Sequence, residues 1–528
     1  MKNVPLRSLL LVSAVALAGC GDSAPAPARA DGSLPPGPIS CPVTGDAGTA
    51  AEILPQLLAD EATLQRWQTD MVDLGPRFTG SPAHHAFHEF LVAELEAAGF
   101  SVTREPRPIH WWLHKKYSLK LVENGVETEY PVAAYYPYSG ATPEGGIVAE
   151  LADAGKGLPE DFQAGDFEGK IAFYEEDMLP ANAGIFYGSA TYVHDPDRTM
   201  TPADPYKRAS LSFLTPQELT SLGSARGAGA VGSIVSYEAS YDNAAGQYTP
   251  FLSAPSPERD VPTLYVDRAT GDAIKAKVAL GASARLELVV EKHPDGATED
   301  LIAWLPGTTD EVLIINTHTD GTSASQENGN LGILSLARYF ASLPVNCRQR
   351  TIVVALIPGH FHSGFEGDTQ GFIDRNPEII AQAVGSLTLE HLGQTEWLDD
   401  VVGGFHPTGQ FEPSAWFGSA SPMQAIMTNA VIAEDLRRSF VLRPYGVIYF
   451  GVGSPLNAVG VPNAAYITGP NSMLSFANNQ HLDKLDYGRM AAEIRTAARI
   501  FAKLDAAPKE ELCAGMYSQS GATTGCSP

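Results

Sequence analysis

Three apolar runs in the second half of the chain each end in a turn that carries imidazole or carboxylate groups. Residues 312–316 lead into His318-Thr319-Asp320, 351–357 into Pro358-Gly359-His360-Phe361-His362, and 386–389 into Glu390-His391. Side chains at the carboxyl ends of parallel strands converge on one crevice, so these residues read as parts of one site. Imidazole nitrogens and carboxylate oxygens are donors for zinc and neighbouring divalent metals. The chain is expected to be a metal-dependent α/β enzyme.

Two further groups join them. Glu327-Asn328 opens a helix, where the dipole favours a carboxylate. His481, within Asn479-Gln480-His481-Leu482-Asp483, precedes the last helix. Asp320 stands two residues after His318, the spacing of a carboxylate that orients a ligating imidazole from behind. His318, Glu327, Glu390 and His481 are spread over more than 160 residues, as in a site assembled by a fold rather than by one local motif.

The elements that must position these groups follow from periodicity. Phe87, Phe90, Leu91, Leu95 and Ala98 recur at helical spacing over 84–98, Gly99 ends that helix, and Phe100 to Arg104 reads as a strand. From Leu301 to Leu305 onward, strands alternate with helices such as 328–342 and 488–504. That alternation predicts an α/β fold with a mainly parallel sheet flanked by helices. Between about 130 and 292 the texture changes to short strand-like runs among Gly, Pro, Asp and Tyr-rich loops, with few helices expected. This reads as an inserted, mostly β unit, dividing the α/β domain into 51–129 and 293–507, with a tail at 508–528.

The first residues read as a targeting segment. Lys2 and Arg7 precede an apolar stretch from Ser8 to Leu17, too short to span a bilayer, and Leu17-Ala18-Gly19-Cys20 resembles a bacterial lipobox. Residues 1–19 are therefore expected to be removed and Cys20 to carry lipid, placing the chain in the cell envelope. A Pro, Ala, Gly and Ser-rich tether runs from 20 to about 50. The formal charge is −26, or −28 without Lys2 and Arg7, which disfavours nucleic acid as a partner. Cys41, Cys347, Cys513 and Cys526 lack CxxC spacing. In an oxidising compartment they can form two disulfides, with Cys41–Cys347 and Cys513–Cys526 as one possible pairing.

Other signatures are missing from the sequence. It has no G-x-S-x-G, no H-E-x-x-H and no P-loop. Gly227 to Gly232 matches G-x-G-x-x-G, but it follows a helix-like stretch and opens a strand, the reverse of a dinucleotide site. His84, His85 and His88 lie on a helix at mixed spacing and are expected to be structural or exposed. Trp111-Trp112 is expected to pack the insert against the body.

The order of the candidate ligands resembles the zinc-dependent aminopeptidase family that includes bacterial leucyl aminopeptidases and glutamate carboxypeptidase II. The resemblance covers most of the chain. It includes Leu74-Gly75-Pro76-Arg77-Phe78-Thr79-Gly80-Ser81-Pro82 before the first long helix, and Ile302 to Gly307 before the first ligand. The 165–266 region looks like the protease-associated domain that many exported relatives carry. The resemblance implies a zinc-exopeptidase-like fold, one or two zinc or other divalent ions, and a peptide or small amide substrate. It also implies that His318, Glu327, Glu390 and His481 ligate metal, that Asp320 supports His318, and that Asp483 and Asp486 form the usual trailing pattern.

One position departs from the pattern. The family has two adjacent glutamates where this chain has His360-Phe361, and phenylalanine cannot bind a metal. His360, His362 or His391 could replace the lost ligand, and His360 with His362 could act together if that segment stays extended. Two mechanisms follow. Either His360 is the general base, or it completes the metal site and Glu366 or another carboxylate takes the proton. Two alternatives remain open: a catalytically altered relative that binds peptide or glycan at the cell surface, and a cyclase of the glutaminyl type.

Overall fold

The computed structural model describes residues 39–517 and 523–524, apart from 47, 250–260, 363–368, 403 and 446–448. Cys20, Glu366 and Cys526 lie outside the described residues, as does the 1–19 segment.

The first half of the chain supplies β1 (Ser101–Glu123), β2 (Val126–Tyr130), β3 (Ala134–Tyr135), β4 (Ile147–Asp153), β5 (Ile171–Glu176), β6 (Ala190–His194), β7 (Gly232–Tyr237) and β8 (Thr263–Val266). The second half supplies β9 (Ser283–Leu305), β10 (Val312–His318), β11 (Thr351–Ile357), β12 (Ala383–Leu389), β13 (Thr395–Asp400), β14 (Gly404–Phe411), β15 (Ser414–Gly418), β16 (Ser439–Leu442) and β17 (Asn463–Thr468). One large sheet runs in the order β3-β8-β7-β5-β4-β9-β11-β10-β12-β17-β15-β16-β6. At its centre β11, β10, β12 and β17 are parallel neighbours. Every residue of β10 and β12 is buried, as expected of strands covered on both faces.

The helices seal those faces for local reasons. Helix Pro82–Ala97 starts at Ser81, whose hydroxyl accepts from the His84 amide, with Pro82 preset for the first turn, and Gly99 follows its end at φ 96°. It buries Phe87, Leu91 and Leu95, and full burial of one such side chain stabilises by roughly 1.5–3 kcal/mol. Helix Gly329–Ser342 begins hard against the end of β12, where a Cβ on Gly329 would stand 2.0 Å from the Leu389 carbonyl oxygen. Only glycine fits that approach. Helix Tyr487–Ala506 is capped by the Asp486 carboxylate, which accepts from the Arg489 amide, so Asp486 acts as an N-cap.

The 130–292 segment holds more helix than its composition predicts. Its strands β4, β5, β7 and β8 are parallel neighbours; helix Pro159–Ala164 lies between β4 and β5, helix Pro216–Gly227 leads into β7, and helix Arg268–Val278 follows β8 and leads to β9. The Gly227–Gly232 stretch is the turn between a helix and β7, as expected. β9 links this segment to the body, pairing with β4 near its start and β11 near its end. Trp112 is buried beside Tyr135 and Tyr138, within the aromatic packing of the segment.

An excursion between β5 and β7 crosses to the far edge of the sheet, where β6 pairs antiparallel with β16. A Cys41–Cys347 disulfide ties the amino-terminal stretch to the body, the pairing entertained from sequence. Among the described residues no helix is long and apolar enough to cross a membrane.

Candidate functional site

His318 is the last residue of β10 and fully buried. Its Nδ1 lies 2.7 Å from the main-chain oxygen of Asp320, which can only accept, so Nδ1 carries the proton. The lone pair is then on Nε2, which has no hydrogen-bond partner and lies 3.8 Å from Glu390 Oε2. Burial holds the imidazole well below its usual range and therefore neutral, the form that binds metal. Asn330 fixes the strand end by donating to the His318 carbonyl at 2.8 Å.

Glu390 follows β12 and is buried, its Oε1 accepting from the Val452 amide at 2.9 Å. The His360 ring is 4.4 Å from that of His318. One donor atom each from His318, His360 and Glu390 lie within 4.8 Å of one another. Zinc reaches nitrogen and oxygen donors at about 2.0–2.2 Å, so modest side-chain adjustment brings all three onto one ion. The fit rests on a neutral imidazole whose lone pair is orphaned beside a buried carboxylate. These three of the expected site residues are brought together.

Asp320 plays a different part from the one expected. The main-chain oxygen of Asp320, not its carboxylate, orients His318. The carboxylate instead accepts from three successive amides, Gly359 at 3.1 Å, His360 at 3.3 Å and Phe361 at 2.8 Å, and from the Thr79 hydroxyl. Such a run of amides is an anion nest, and Gly359 at φ 104° supplies the left-handed residue it needs. Burial pushes the carboxyl upward, opposed by these donors.

The nest also separates two histidines. Because 359–361 turns instead of extending, His360 and His362 diverge. His362 Nε2 bonds the His110 carbonyl on β1 at 2.7 Å and its ring meets Tyr138, so it does not share the site with His360. Burial pushes it down to about 4. Phe361 is fully buried against Tyr248.

His391 is held on both sides. Its Nδ1 donates to the Thr468 carbonyl at 2.6 Å and its Nε2 faces the Gln326 side chain. Burial pushes it down to about 3, so the ring is neutral and Nε2 accepts, which requires Gln326 to present its amide NH2. His391 is thereby removed as a ligand and as a proton acceptor.

Glu327 and His481 are buried outside the three-donor cluster. Glu327 Oε1 is ion-paired with the Nε of Arg77, which is itself fully buried. Arg77 donates further to the carbonyls of Met71, Gly75 and Ser323 and to the Gln480 side chain. Glu327 Oε2 has no hydrogen-bond partner and lies over Gly321, where a Cβ would be 1.8 Å away. His481 bonds Ser475 Oγ through Nε2 at 2.8 Å. Burial, reinforced by the Lys484 charge, pushes it down to about 3. Asp483 pairs with Lys484 at 3.1 Å.

His360, Glu390 and His391 line one side of a cavity of about 280 Å³. The rest of its wall is largely apolar, with Ile185, Phe186 and Leu211 from the β5–β7 excursion and Phe450, Ile467 and Met473 from the body. Behind it, Tyr206 donates to Glu412 at 2.9 Å, and Arg208 pairs with Glu412 at 3.1 Å and Glu396 at 3.0 Å. Sequence reasoning missed this wall, since nothing local to 185–211 shows that it folds back over a site more than a hundred residues away. Of the two readings left open for His84 and His88, structural or exposed, the structure shows the first: both are buried, with Nε2 atoms 2.9 and 2.8 Å from the Thr319 hydroxyl.

The fold class these elements define is zinc-exopeptidase-like: a large, mainly parallel sheet flanked by helices, with the candidate ligands at strand ends. Solved structures share it. An aminopeptidase from Aneurinibacillus sp. strain AM-1 matches at TM-score 0.54 and 16% identity, over 85% of this chain and 95% of that one. A zinc aminopeptidase from Bacillus subtilis matches at TM-score 0.58 and 15% identity, over 83% and 94%. A peptidase M28 precursor from Shewanella amazonensis matches at TM-score 0.59 and 20% identity, over 85% and 96%. At these identities the likeness is one of fold. No protein-family model matches the chain, and no curated protein matches it.

Proposed function

We propose that this chain is an exported metal-dependent hydrolase of peptide or small amide bonds, acting as an aminopeptidase-like enzyme on substrates with an apolar side chain. The observation that carries this reading is the convergence of His318, His360 and Glu390 at the rim of an apolar cavity. These three residues would hold a divalent ion, zinc first among them, which when bound polarises a carbonyl and acidifies water. His318 presents a fixed neutral lone pair, Glu390 brings the compensating charge, and the Asp320 nest fixes the turn bearing His360. His360 is a ligand in this reading, because it lies within reach of both partners. Apolar walls exclude water and seat the side chain next to the cleaved bond.

The Cys41–Cys347 bond supports export, since such bonds persist in oxidising compartments. With Cys20 as a lipid-bearing residue, the chain would act at the cell envelope.

The test uses the purified protein and aminoacyl arylamides. Hydrolysis of leucyl and phenylalanyl substrates, abolished by a chelator and restored by zinc, is the expected result. Tight zinc binding without hydrolysis of any peptide or amide would overturn the enzymatic reading and leave a binding protein.

A further inference from the structure

A two-ion centre, one of the two occupancies the sequence resemblance allows, needs a carboxylate shared between the ions and further donors for the second. The described residues do not assemble one. Phe361 stands where a donating carboxylate is expected and is buried in aromatic packing. Glu327, a ligand by the resemblance, is held by a guanidinium, and His481 lies outside the cluster of three donors. A fixed cation occupies this side of the site. Arg77 is fully buried beside Glu327 and also bonds Gln480.

Charge bookkeeping explains the arrangement. A buried carboxylate is strongly disfavoured without a compensating positive charge. In a two-ion site the metals provide it. Here the Arg77 Nε–H meets Glu327 Oε1, and the rest of the guanidinium is tied to four other acceptors. Main-chain bonds between Arg77 and Gly321, 2.9 and 3.0 Å long, lock the segment against the end of β10. The cation cannot swing away without breaking that set.

We propose that this chain holds one divalent ion, at His318, His360 and Glu390, and that Arg77 supplies the positive charge Glu327 would otherwise draw from a second ion. This rests on the metal-centre reading above. It assigns Arg77 and Glu327 as a fixed ion pair flanking a mononuclear site.

The experiment is metal content per chain by elemental mass spectrometry after zinc loading and gel filtration, with zinc affinity measured by chelator competition. Wild type is expected to hold one zinc. The double variant Arg77→Met/Glu327→Gln removes both buried charges together, avoiding an orphaned one, and is expected to keep that zinc with affinity changed by less than the roughly 10–100-fold an outer-shell substitution costs. His318→Ala is expected to lose it. Two ions in wild type would overturn the inference while leaving the hydrolase reading intact. Loss of the ion from the folded double variant would also overturn it, by showing Glu327 to be a ligand. No ion in wild type would overturn the inference and the metal-centre reading together.

Discussion

His318 Nε2 and Glu390 Oε2 are 3.8 Å apart, too far for a hydrogen bond and close enough for both to reach one ion. The separation is set from outside the pair. The Asp320 carbonyl holds one imidazole nitrogen and the Val452 amide holds one carboxylate oxygen. Each group is thus oriented by a main-chain partner before any ligand arrives, the preorganisation a metal site requires.

Asp320→Asn tests the nest. The amide keeps one oxygen but replaces the other with a donor that opposes the amides of 359–361. Zinc affinity is expected to fall by roughly 10–100-fold, as for loss of an outer-shell partner, with fold retained by circular dichroism. Unchanged affinity would show that the turn bearing His360 holds itself.

Ile467→Thr tests the cavity. The substitution keeps the branched shape and removes apolar contact worth about 1 kcal/mol. The expected outcome is a KM for leucyl arylamide raised about fivefold, with kcat nearly unchanged. Equal effects on an alanyl substrate would contradict a side-chain pocket there.

Arg77→Met leaves Glu327 buried without its partner. Breaking a buried pair costs about 3–5 kcal/mol, read as a lowered denaturant midpoint. Adding Glu327→Gln is expected to recover part of that loss. If the single and double variants are equally destabilised, the guanidinium's carbonyl contacts matter more than the ion pair.

His114 provides a pH test away from the site. Burial beside Tyr117, Tyr135 and Phe476 pushes it down to about 4. The unfolded imidazole titrates near 6.5, so below that pH the unfolded chain binds the extra proton and stability falls until the folded ring protonates near 4. The contribution is fully present above pH 6.5 and amounts to roughly 3 kcal/mol across that window. His114→Gln is expected to flatten the acid limb of the stability curve, and an unaltered slope would refute it.

The fold was legible where periodicity was strong. The helix from Pro82 and the strand–helix alternation after Leu301 follow from apolar spacing that tertiary contacts reinforce. Three of the site residues were legible because strand ends in parallel sheets converge. What escaped notice depends on long-range placement. The His84 and His88 rings sit in the core because Thr319 gives both a hydroxyl partner, and no local pattern announces that pairing. The divergence of His360 and His362 turns on one φ angle at Gly359. The pairing of Glu327 with a guanidinium from a segment 250 positions earlier has no local signal.

The two 23-residue strands β1 and β9 are hydrogen-bonded along nearly their whole length. They run from the body, where β9 meets β11, to the 130–292 segment, where it meets β4. The 130–292 segment is therefore bolted to the rest of the fold through a paired-strand beam and not hung from a flexible neck. Shifting the 130–292 segment against the rest of the fold would mean bending that beam, so the placement of one against the other is a property of the scaffold's stiffness.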